Sequence, residues 1–300
     1  PEQRNKATAE GTALLRWLAA HAPAQVQLIA GNHDLGRVGE LAQFSESEFD
    51  QAHREALLAY RSGDTDTVLE AELLRQYPEL PSAEIAARDF AAFSTMQRDL
   101  VRDLLLGGRF RLASAVSSTA LVCHAGITLD ELQAIDYGGE AGDAIAIAAA
   151  INGRFDQAIE SWQGEGRLIV DSLHTPGDSR FGEGGGMLYH RPANPQHTGE
   201  EETYRGPARR RYDPRRLPKG LTQIVGHISD AKCRSLFGEW ASGDPDPGRL
   251  RHLHTDGESV HYQVGSVALD SVASHQARLI FVDGGMNRVA VEQYQLLDLG

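Results

Sequence analysis

The segment 26–34, which reads Val-Gln-Leu-Ile-Ala-Gly-Asn-His-Asp, limits the possible folds of this chain more than any other. Its first five residues form a short, mostly apolar run, which is typical of a buried strand in a mostly parallel sheet. A glycine then permits a tight turn, and Asn32, His33 and Asp34 follow the strand's carboxyl end. Open α/β sheets bind ligands at this edge, so the segment predicts an α/β fold with a candidate site here. The alternative is a turn that caps a helix.

Two later segments repeat this arrangement of a short apolar run that ends in a histidine beside a glycine. Leu-Val-Cys-His-Ala-Gly occupies 121–126, and Ile-Val-Gly-His occupies 224–227. Each segment predicts a strand with an imidazole at its end, carried by His124 and His227 respectively. Three strand ends therefore offer nitrogen or oxygen donors, which suits a metal site.

In this order, the Gly-Asn-His-Asp, Cys-His-Ala-Gly-Ile and Val-Gly-His sequences resemble the motifs of the calcineurin-like metallophosphoesterases. The similarity is greatest to the phosphoprotein phosphatase branch, which includes bacterial members and the diadenosine tetraphosphate hydrolases. The segment from His124 to Leu132 is similar to that branch's His-Gly-Gly-Leu-Ser segment and the acidic turn after it. The resemblance implies a metallophosphoesterase-type α/β sandwich of two mixed sheets flanked by helices. We expect a single domain over 1–300 with a helical insertion at about 45–108.

The resemblance also implies roles for six residues. It assigns Asn32, His124 and His227 as ligands of one of two divalent metal ions. It assigns His33 as the general acid that protonates the leaving alcohol, with Asp34 paired to it so that the imidazole stays charged. Imidazole nitrogen and amide oxygen favour manganese, iron or zinc over calcium.

The sixth residue is Arg191. The segment 186–191, Gly-Met-Leu-Tyr-His-Arg, is loosely similar to the Pro-Leu-Trp-x-Arg segment of bacterial phosphatases in this branch, where the Arg binds the substrate phosphate. A guanidinium suits this role because its planar fork bonds two phosphate oxygens at once. The resemblance therefore assigns Arg191 to phosphate binding.

Two motifs of the family, Asp-x-His and Gly-Asp-x-x-Asp-Arg, are not found at their expected places. In the family they supply the ligands of the second metal ion, including a bridging Asp. The nearest sequence, Gly63–Asp66, follows a predicted helix and is better explained as a turn and helix cap. We therefore expect the chain to start about 60 residues late relative to the family, because two βα units have about that length. We also expect these 300 residues alone to be nearly inactive.

The expected function is metal-dependent phosphoester hydrolysis of the serine/threonine phosphoprotein phosphatase type, on a phosphorylated protein or a small phosphoester. Two alternatives stay open: hydrolysis of dinucleoside polyphosphates such as diadenosine tetraphosphate, and a catalytically inactive binding module on a phosphatase fold. The net charge of −13 argues against a nucleic-acid partner, because phosphate neutralisation requires concentrated Lys and Arg. The sequence does not indicate an oligomeric state.

No stretch approaches the roughly 20 apolar residues of a membrane-spanning helix, so we expect no membrane partner. The only cysteines are Cys123 and Cys233, and their spacing matches no disulfide framework, which favours a reducing compartment. These features predict a cytoplasmic hydrolase.

Apolar periodicity and capping residues predict the remaining elements. A helix is expected over 5–21 and another over 143–159. The insertion is expected to contain three helices: one after the Ser45 and Glu48 capping box, one over 67–77, and a long one from Ser82 to Gly107 with Leu100 and Leu104 on its inner face. Strands are expected at 110–116, 119–123, 167–171 and 221–226, with a terminal pair at 278–283 and 288–297.

Two groups of basic residues have open interpretations. Five arginines cluster in the irregular segment 205–219: Arg209, Arg210, Arg211, Arg215 and Arg216. We favour a solvated loop over a role in attracting an anionic substrate. His252 and His254 alternate as on a strand, and exposed side chains near a hairpin are favoured over a metal-binding pair.

Overall fold

The computed structural model describes residues 2–61, 63–198, 211–269, 272–285 and 288–299, and for residues 2–5 the backbone alone. The described chain has a mixed α/β structure with one six-stranded sheet and three two-stranded sheets. It divides into two compact units. The first unit takes its residues from Pro1–Arg111 and Phe155–Gly185, and the second from Leu112–Arg154, Gly186–Thr203 and Ala208–Gly300. The α/β class is confirmed, and the single domain stays a prediction.

Helices make up most of the first unit. They are α1 (Glu2–Ala19), α2 (Asn32–Val38), α3 (Glu46–Ala59), α4 (Thr67–Gln76) and α5 (Thr95–Leu106), with a short π-helix at Ile85–Asp89. The strands of this unit are β1 (Leu28–Ile29), β2 (Tyr60–Arg61), β3 (Asp64–Thr65) and β4 (Phe110–Arg111). β1 pairs with β4 in parallel, as expected for the strand that precedes Asn32.

Local side-chain caps set the helix starts in the insertion. The Ser45 hydroxyl accepts from the Glu48 N–H at 3.3 Å, and the Glu48 carboxylate accepts from the Ser45 N–H at 2.9 Å, which confirms the predicted capping box. Asp66 caps α4 by accepting from two backbone N–H groups. The apolar faces of these helices then pack into a core that includes Phe49, Leu80 and Phe93.

The prediction of a single long helix from Ser82 to Gly107 is wrong. The structure has the π-helix first, then a break at Phe90, and α5 starts only after Ser94, whose hydroxyl accepts from the Gln97 N–H at 3.2 Å. A serine that caps a new helix competes with continuation of the previous one. The new start shifts the helical register, so α5 buries Val101 and Leu105 instead of the expected Leu100 and Leu104.

The second unit is built on the six-stranded mixed sheet, with the spatial order β11-β10-β12-β9-β6-β5. Its strands are β5 (Ala113–Ala115), β6 (Ala120–Cys123), β9 (Thr222–Val225), β10 (Arg251–Thr255), β11 (Val260–Val264) and β12 (Ala277–Phe281). A separate parallel pair consists of β7 (Arg191–Pro192) and β8 (Arg211–Tyr212). The remaining helices are α6 (Leu129–Ala134), α8 (Pro195–Thr198) and α9 (Asp230–Phe237), and α7 (Ala144–Trp162), whose residues from Phe155 onward belong to the first unit.

The three central strands of this sheet are parallel and end in line. Cys123 of β6 pairs with Val225 of β9, and Phe281 of β12 pairs with the same residue. All three side chains are buried, because a central parallel strand is covered on both faces. The residues that follow β6 and β9 therefore leave the sheet at the same edge.

Two expected strands do not form. In the segment 167–171, Val170 makes only an isolated bridge to His174. In the segment 288–297, Val291–Gln293 forms a short 3₁₀ turn instead. The physical reason is that β12 is already hydrogen-bonded to β9 on one side and to β10 on the other, so it offers no free edge to a terminal strand.

Both cysteines, Cys123 and Cys233, are buried and form no disulfide. Within the described ranges, the helices are all too short or too polar to cross a membrane.

Candidate functional site

The two histidines that end β6 and β9 lie side by side. The Nε2 atom of His124 is 3.0 Å from the Nδ1 atom of His227, and the ring centroids are 4.8 Å apart. The Gly226 N–H donates to the His124 carbonyl at 3.0 Å and joins the two turns. The prediction that a strand precedes each of these histidines is confirmed, while their role as metal ligands stays a prediction.

The backbone of His227 adopts a positive φ of 64°, in the left-handed region that non-glycine residues rarely occupy. Residues held in this region cluster at functional sites, because the surrounding structure has to offset the strain. Burial lowers the pKa of His227 well below its usual value, and the charge of Arg191 lowers it further. The His227 imidazole is therefore neutral at physiological pH, which is the form that binds metal ions.

Arg191 lies beside the histidine pair. One of its guanidinium nitrogens, Nη1, donates to the Tyr189 carbonyl at 2.8 Å, and His227 Nε2 lies 3.3 Å from the same oxygen. This shared carbonyl brings the guanidinium and the imidazole together. The position suits the predicted contact between Arg191 and a substrate phosphate.

A buried ion pair supports the turn after His124, and it is not among the features predicted from the sequence. His190 is 2% exposed, with Nδ1 3.2 Å from the Glu131 carboxylate and Nε2 2.9 Å from the Gly126 carbonyl. Burial by itself raises the pKa of Glu131, but the hydrogen bonds and charge of His190, with bonds from Thr128, hold it at about 2. The Thr-x-x-Glu capping box at the start of α6 was a readable signal for Glu131.

Gln223 of β9 also holds this turn in place, through two hydrogen bonds. Its side-chain oxygen accepts from the Ile127 N–H at 2.7 Å, and its side-chain amide donates to the Ile127 carbonyl at 2.8 Å. Gln223 is almost completely buried. Because the oxygen and the nitrogen of this buried amide both bond to the Ile127 backbone, Gln223 restrains the segment that carries His124.

Asn32, His33 and Asp34 belong to the first unit, where they form the first turn of α2 directly after β1. The Asp34 carboxylate accepts from the Gly31 N–H at 2.9 Å and so caps the helix on which it sits. Burial raises the pKa of Asp34, and this hydrogen bond opposes the rise. The helix cap, which is the alternative explanation of this triplet, is therefore present in the structure.

The expected charge on His33, with Asp34 as its partner, stays a prediction. Partial burial lowers the pKa of His33, so the ring is more easily deprotonated than a free imidazole. The negative charge that opposes this most is Asp89, at the end of the π-helix, and Asp34 contributes less. The physical reason is that the Asp34 carboxylate accepts a hydrogen bond from the Gly31 N–H at the start of α2. The catalytic roles of His33 and Asp34 stay predictions, and no sequence signal pointed to Asp89.

The fit of the histidine pair to a metal ion can be tested by distance. Nitrogen ligands lie about 2.0–2.1 Å from zinc, which places two neighbouring ligand nitrogens about 3 to 3.4 Å apart. The 3.0 Å between His124 and His227 is the length of a hydrogen bond between the two rings, and it is also compatible with two ligands of one ion. Across the part of the chain that the structure describes, no group of three or more His, Cys, Asp or Glu side chains forms a metal site. Asn32, as an amide, is the third donor that the resemblance assigns.

The structure gives positions for members of both groups of basic residues, the arginines of 205–219 and the His252 and His254 pair. His252 on β10 is buried, with Nε2 3.0 Å from the Gln263 side-chain oxygen, so the favoured explanation of an exposed side chain is wrong for this residue. Arg215 pairs with Asp213, and Arg216 with Asp130. Arg211 lies in β8, whereas Arg209 and Arg210 lie outside the described residues.

Comparisons with models of protein families, with curated proteins and with solved structures find no match to this chain. The class that the fold defines is a mixed α/β protein. The site consists of two neighbouring imidazoles at adjacent strand ends, with a guanidinium beside them.

Proposed function

We propose that this chain is a metal-dependent phosphoesterase of the phosphoprotein phosphatase type, with a metallophosphoesterase-type sandwich fold. The observation that carries the proposal is the 3.0 Å separation of His124 Nε2 and His227 Nδ1 at the ends of adjacent parallel strands. A phosphorylated protein or small phosphoester as substrate and a cytoplasmic location belong to the same proposal. Hydrolysis of dinucleoside polyphosphates is the alternative activity.

The residues of this chain have separate tasks in this proposal. His124 and His227, with Asn32, would hold one divalent ion of manganese, iron or zinc. Bound divalent ions supply a water acidic enough to attack phosphorus at neutral pH and neutralise the phosphoryl oxygens. The ligands of a second ion would come mostly from motifs that this sequence lacks.

His33 is proposed as the group that transfers a proton from its ring to the leaving oxygen. Its lowered pKa makes the ring a stronger acid, so proton donation is easier once the ring is protonated. Arg191 is proposed to hold a phosphoryl oxygen through its guanidinium, beside the histidine pair. The hydrogen bonds of Glu131, His190 and Gln223 keep the turn that carries His124 in place.

A metal titration tests the proposal. We would titrate Mn²⁺ and Zn²⁺ into the metal-free chain by calorimetry and follow the histidine signals by NMR. The His124→Gln and His227→Asn variants are expected to bind at least tenfold more weakly, and Asn is chosen because it tolerates a positive φ. The matched control is His261→Asn, an exposed histidine on β11, which is expected to bind like the wild type.

Two results would contradict the proposal: no metal binding by the wild type, or equal binding by all three variants. Hydrolysis is then compared after metal loading, with a phosphopeptide and with diadenosine tetraphosphate. Faster turnover of the phosphopeptide supports the phosphatase, and faster turnover of the dinucleotide supports the alternative. Because these 300 residues alone are expected to be nearly inactive, an inactive binding module is supported only if a chain extended with the two missing motifs also binds metal without turnover of either substrate.

A further inference from the structure

Arg251, the first residue of β10, is fully buried in the second unit. Its register partner on β12 is Phe281, the last residue of that strand, and the guanidinium carbon lies 5.1 Å from the Phe281 ring centroid. Phe281 also pairs with Val225 at the end of β9, so Arg251 lies at the sheet edge where the His227 turn begins. Because arginine stays protonated in proteins, a positive charge is buried beside the start of this turn.

The guanidinium of Arg251 joins the ends of two strands. One of its nitrogens, Nη2, donates to the Ile228 carbonyl at 2.8 Å and to the Asp283 carbonyl at 2.7 Å. Ile228 follows His227 after the end of β9, and Asp283 lies shortly after the end of β12. The other terminal nitrogen, Nη1, lies 3.2 Å from the Cys233 Sγ atom in α9. Arg251 therefore links the turn after β9 to the turn after β12.

The backbone of the His227 turn is strained. The Ile228 N–H donates to the Gly226 carbonyl at 2.8 Å, across the single residue His227, whose φ is 64°. A hydrogen bond between residues i and i+2 around a positive φ is the pattern of the rarer, strained form of the γ-turn. The bond from Arg251 to the Ile228 carbonyl holds the residue that closes this turn. It opposes a relaxation that would change the 3.0 Å contact between His227 and His124.

A guanidinium at this position is unfavourable for stability alone. Within the described residues, the Nε atom of Arg251 is buried without a hydrogen-bond partner. The Asp230 carboxylate is linked to the guanidinium through the Tyr262 hydroxyl, which accepts from Arg251 Nη1 at 3.4 Å and donates to Asp230. Well-packed apolar side chains in place of buried charges often give equal or greater stability. The bonds to the two strand-end carbonyls are therefore the main effect that an apolar side chain could not reproduce.

We infer that Arg251 is a positioning residue for the candidate metal site, which holds His227 in its strained turn through the guanidinium bonds to the Ile228 and Asp283 carbonyls. Arg251 acts through the backbone beside His227 and not through the imidazole. The placement of His227 depends only on the geometry of this chain, whereas the importance of Arg251 for metal binding rests on the proposed function. Groups that orient metal ligands from outside typically change metal affinity strongly when they are removed.

The test compares Arg251→Met with the wild type by NMR on the metal-free chain. In the wild type, a strong nuclear Overhauser effect between the amide and α protons of His227 is expected, because a positive φ brings these protons close together. The Arg251→Met variant is expected to lose most of this signal, and the His227 Nδ1 chemical shift is expected to change as the contact with His124 weakens. Affinity for Zn²⁺, measured by calorimetry, is expected to fall by about tenfold.

The matched control is Arg278→Met. Arg278 is also buried in this sheet, on β12, and its guanidinium donates to the Ala268 carbonyl at 3.1 Å and to the Thr222 hydroxyl at 3.2 Å, at the start of β9. Because this substitution removes a buried guanidinium from the other end of β9, it is expected to lower stability but to leave the His227 signals and the Zn²⁺ affinity unchanged. The Arg251→Lys variant keeps the charge but loses the planar fork, so an intermediate change is expected.

Two outcomes would overturn the inference. The first is a folded Arg251→Met variant with wild-type His227 signals, even at a lower melting temperature, because Arg251 then contributes to stability alone. The second is an equal change of the His227 signals in Arg251→Met and Arg278→Met. If Arg251→Met does not fold, Arg251→Lys decides: wild-type His227 signals overturn the inference, and altered signals in a folded chain support it.

The Zn²⁺ titration separates this inference from the proposed function. Altered His227 signals in Arg251→Met together with unchanged Zn²⁺ affinity would overturn the role of Arg251 in the metal site. Altered His227 signals in that variant, with no Zn²⁺ binding by the wild type, would count against the proposed function and leave the placement of His227 by Arg251 supported.

Discussion

His124 Nε2 and His227 Nδ1 approach to 3.0 Å, although the two residues are 103 positions apart in the chain. The approach follows from the pairing of β6 with β9, because Cys123 and Val225 are partners in the parallel register and the turns leave the sheet together. Both turns are held by bonds from elsewhere in the second unit. The pair is therefore a preformed feature of this unit, as a binding site requires.

The positive φ of His227 predicts a difference between two variants that both remove the imidazole. The His227→Gly variant is expected to be more stable than His227→Ala by about 1 kcal/mol, because glycine adopts the left-handed region without strain. Urea unfolding monitored by circular dichroism would measure the difference. At His261, an exposed position within β11, the order should reverse. Greater stability of His227→Ala would show that the backbone of residue 227 relaxes without cost.

The buried pair of Glu131 and His190 predicts a large loss of stability in Glu131→Gln. The change leaves a buried imidazole without its carboxylate, which is expected to lower the free energy of unfolding by about 2–3 kcal/mol. The control is Asp130→Asn at the next residue, where the pair with Arg216 is exposed and a loss below about 1 kcal/mol is expected. Equal losses at the two positions would contradict the structural role of the pair.

The same pair predicts a dependence on acid. The pKa of Glu131 is about 2 in the folded chain, below the ordinary value of the unfolded chain, so the unfolded chain binds more protons between about pH 4.5 and 2. Stability from this group is present above that window and is lost as the pH falls through it. The Glu131→Gln variant should lose this part of the acid dependence in urea unfolding measured at a series of pH values.

The contact between Gly126 and Tyr212 predicts a rescue. Gly126→Ala places a methyl group 2.9 Å from the Tyr212 hydroxyl at a φ of 105°, so a loss above about 2 kcal/mol is expected. Gly166→Ala is the control, because it also has a positive φ but open space around its Cβ, and about 1 kcal/mol is expected there. Adding Tyr212→Phe to Gly126→Ala should recover part of the loss. If the double variant recovers no stability, the loss comes from the backbone conformation of residue 126 alone.

His174 predicts a loss of stability under mild acid. Burial lowers its pKa to about 3, and the charge of Arg167 adds to this, so the folded chain binds a proton there less readily than the unfolded chain. Between about pH 6.5 and 3 the unfolded chain holds more protons than the folded chain. The free energy of unfolding therefore decreases as the pH is lowered, by up to about 1.4 kcal/mol per pH unit. The His174→Gln variant should show a shallower slope than the wild type. His261→Gln, at an exposed position, should keep the wild-type slope.

The sequence alone was sufficient for features that depend on neighbouring residues. The strands that precede Asn32, His124 and His227 were predicted because short apolar runs bounded by glycine are local signals. The capping box of Ser45 and Glu48 was predicted for the same reason, since both hydrogen bonds form within three residues. These interactions involve little loop closure, so their outcome is readable before the chain has folded.

Which distant groups meet depends on the tertiary structure. In the folded chain β12 pairs with strands on both sides, so residues 288–297 have no free sheet edge to join. The helix expected from Ser82 to Gly107 is interrupted, and a new helix starts after Ser94. The tertiary structure also joins Glu131 to His190 and places Arg191 opposite Arg211, which no spacing in the sequence indicates. The physical reason is that strand register and burial depend on the packing of the whole unit, whereas caps and apolar periods depend on a few adjacent residues.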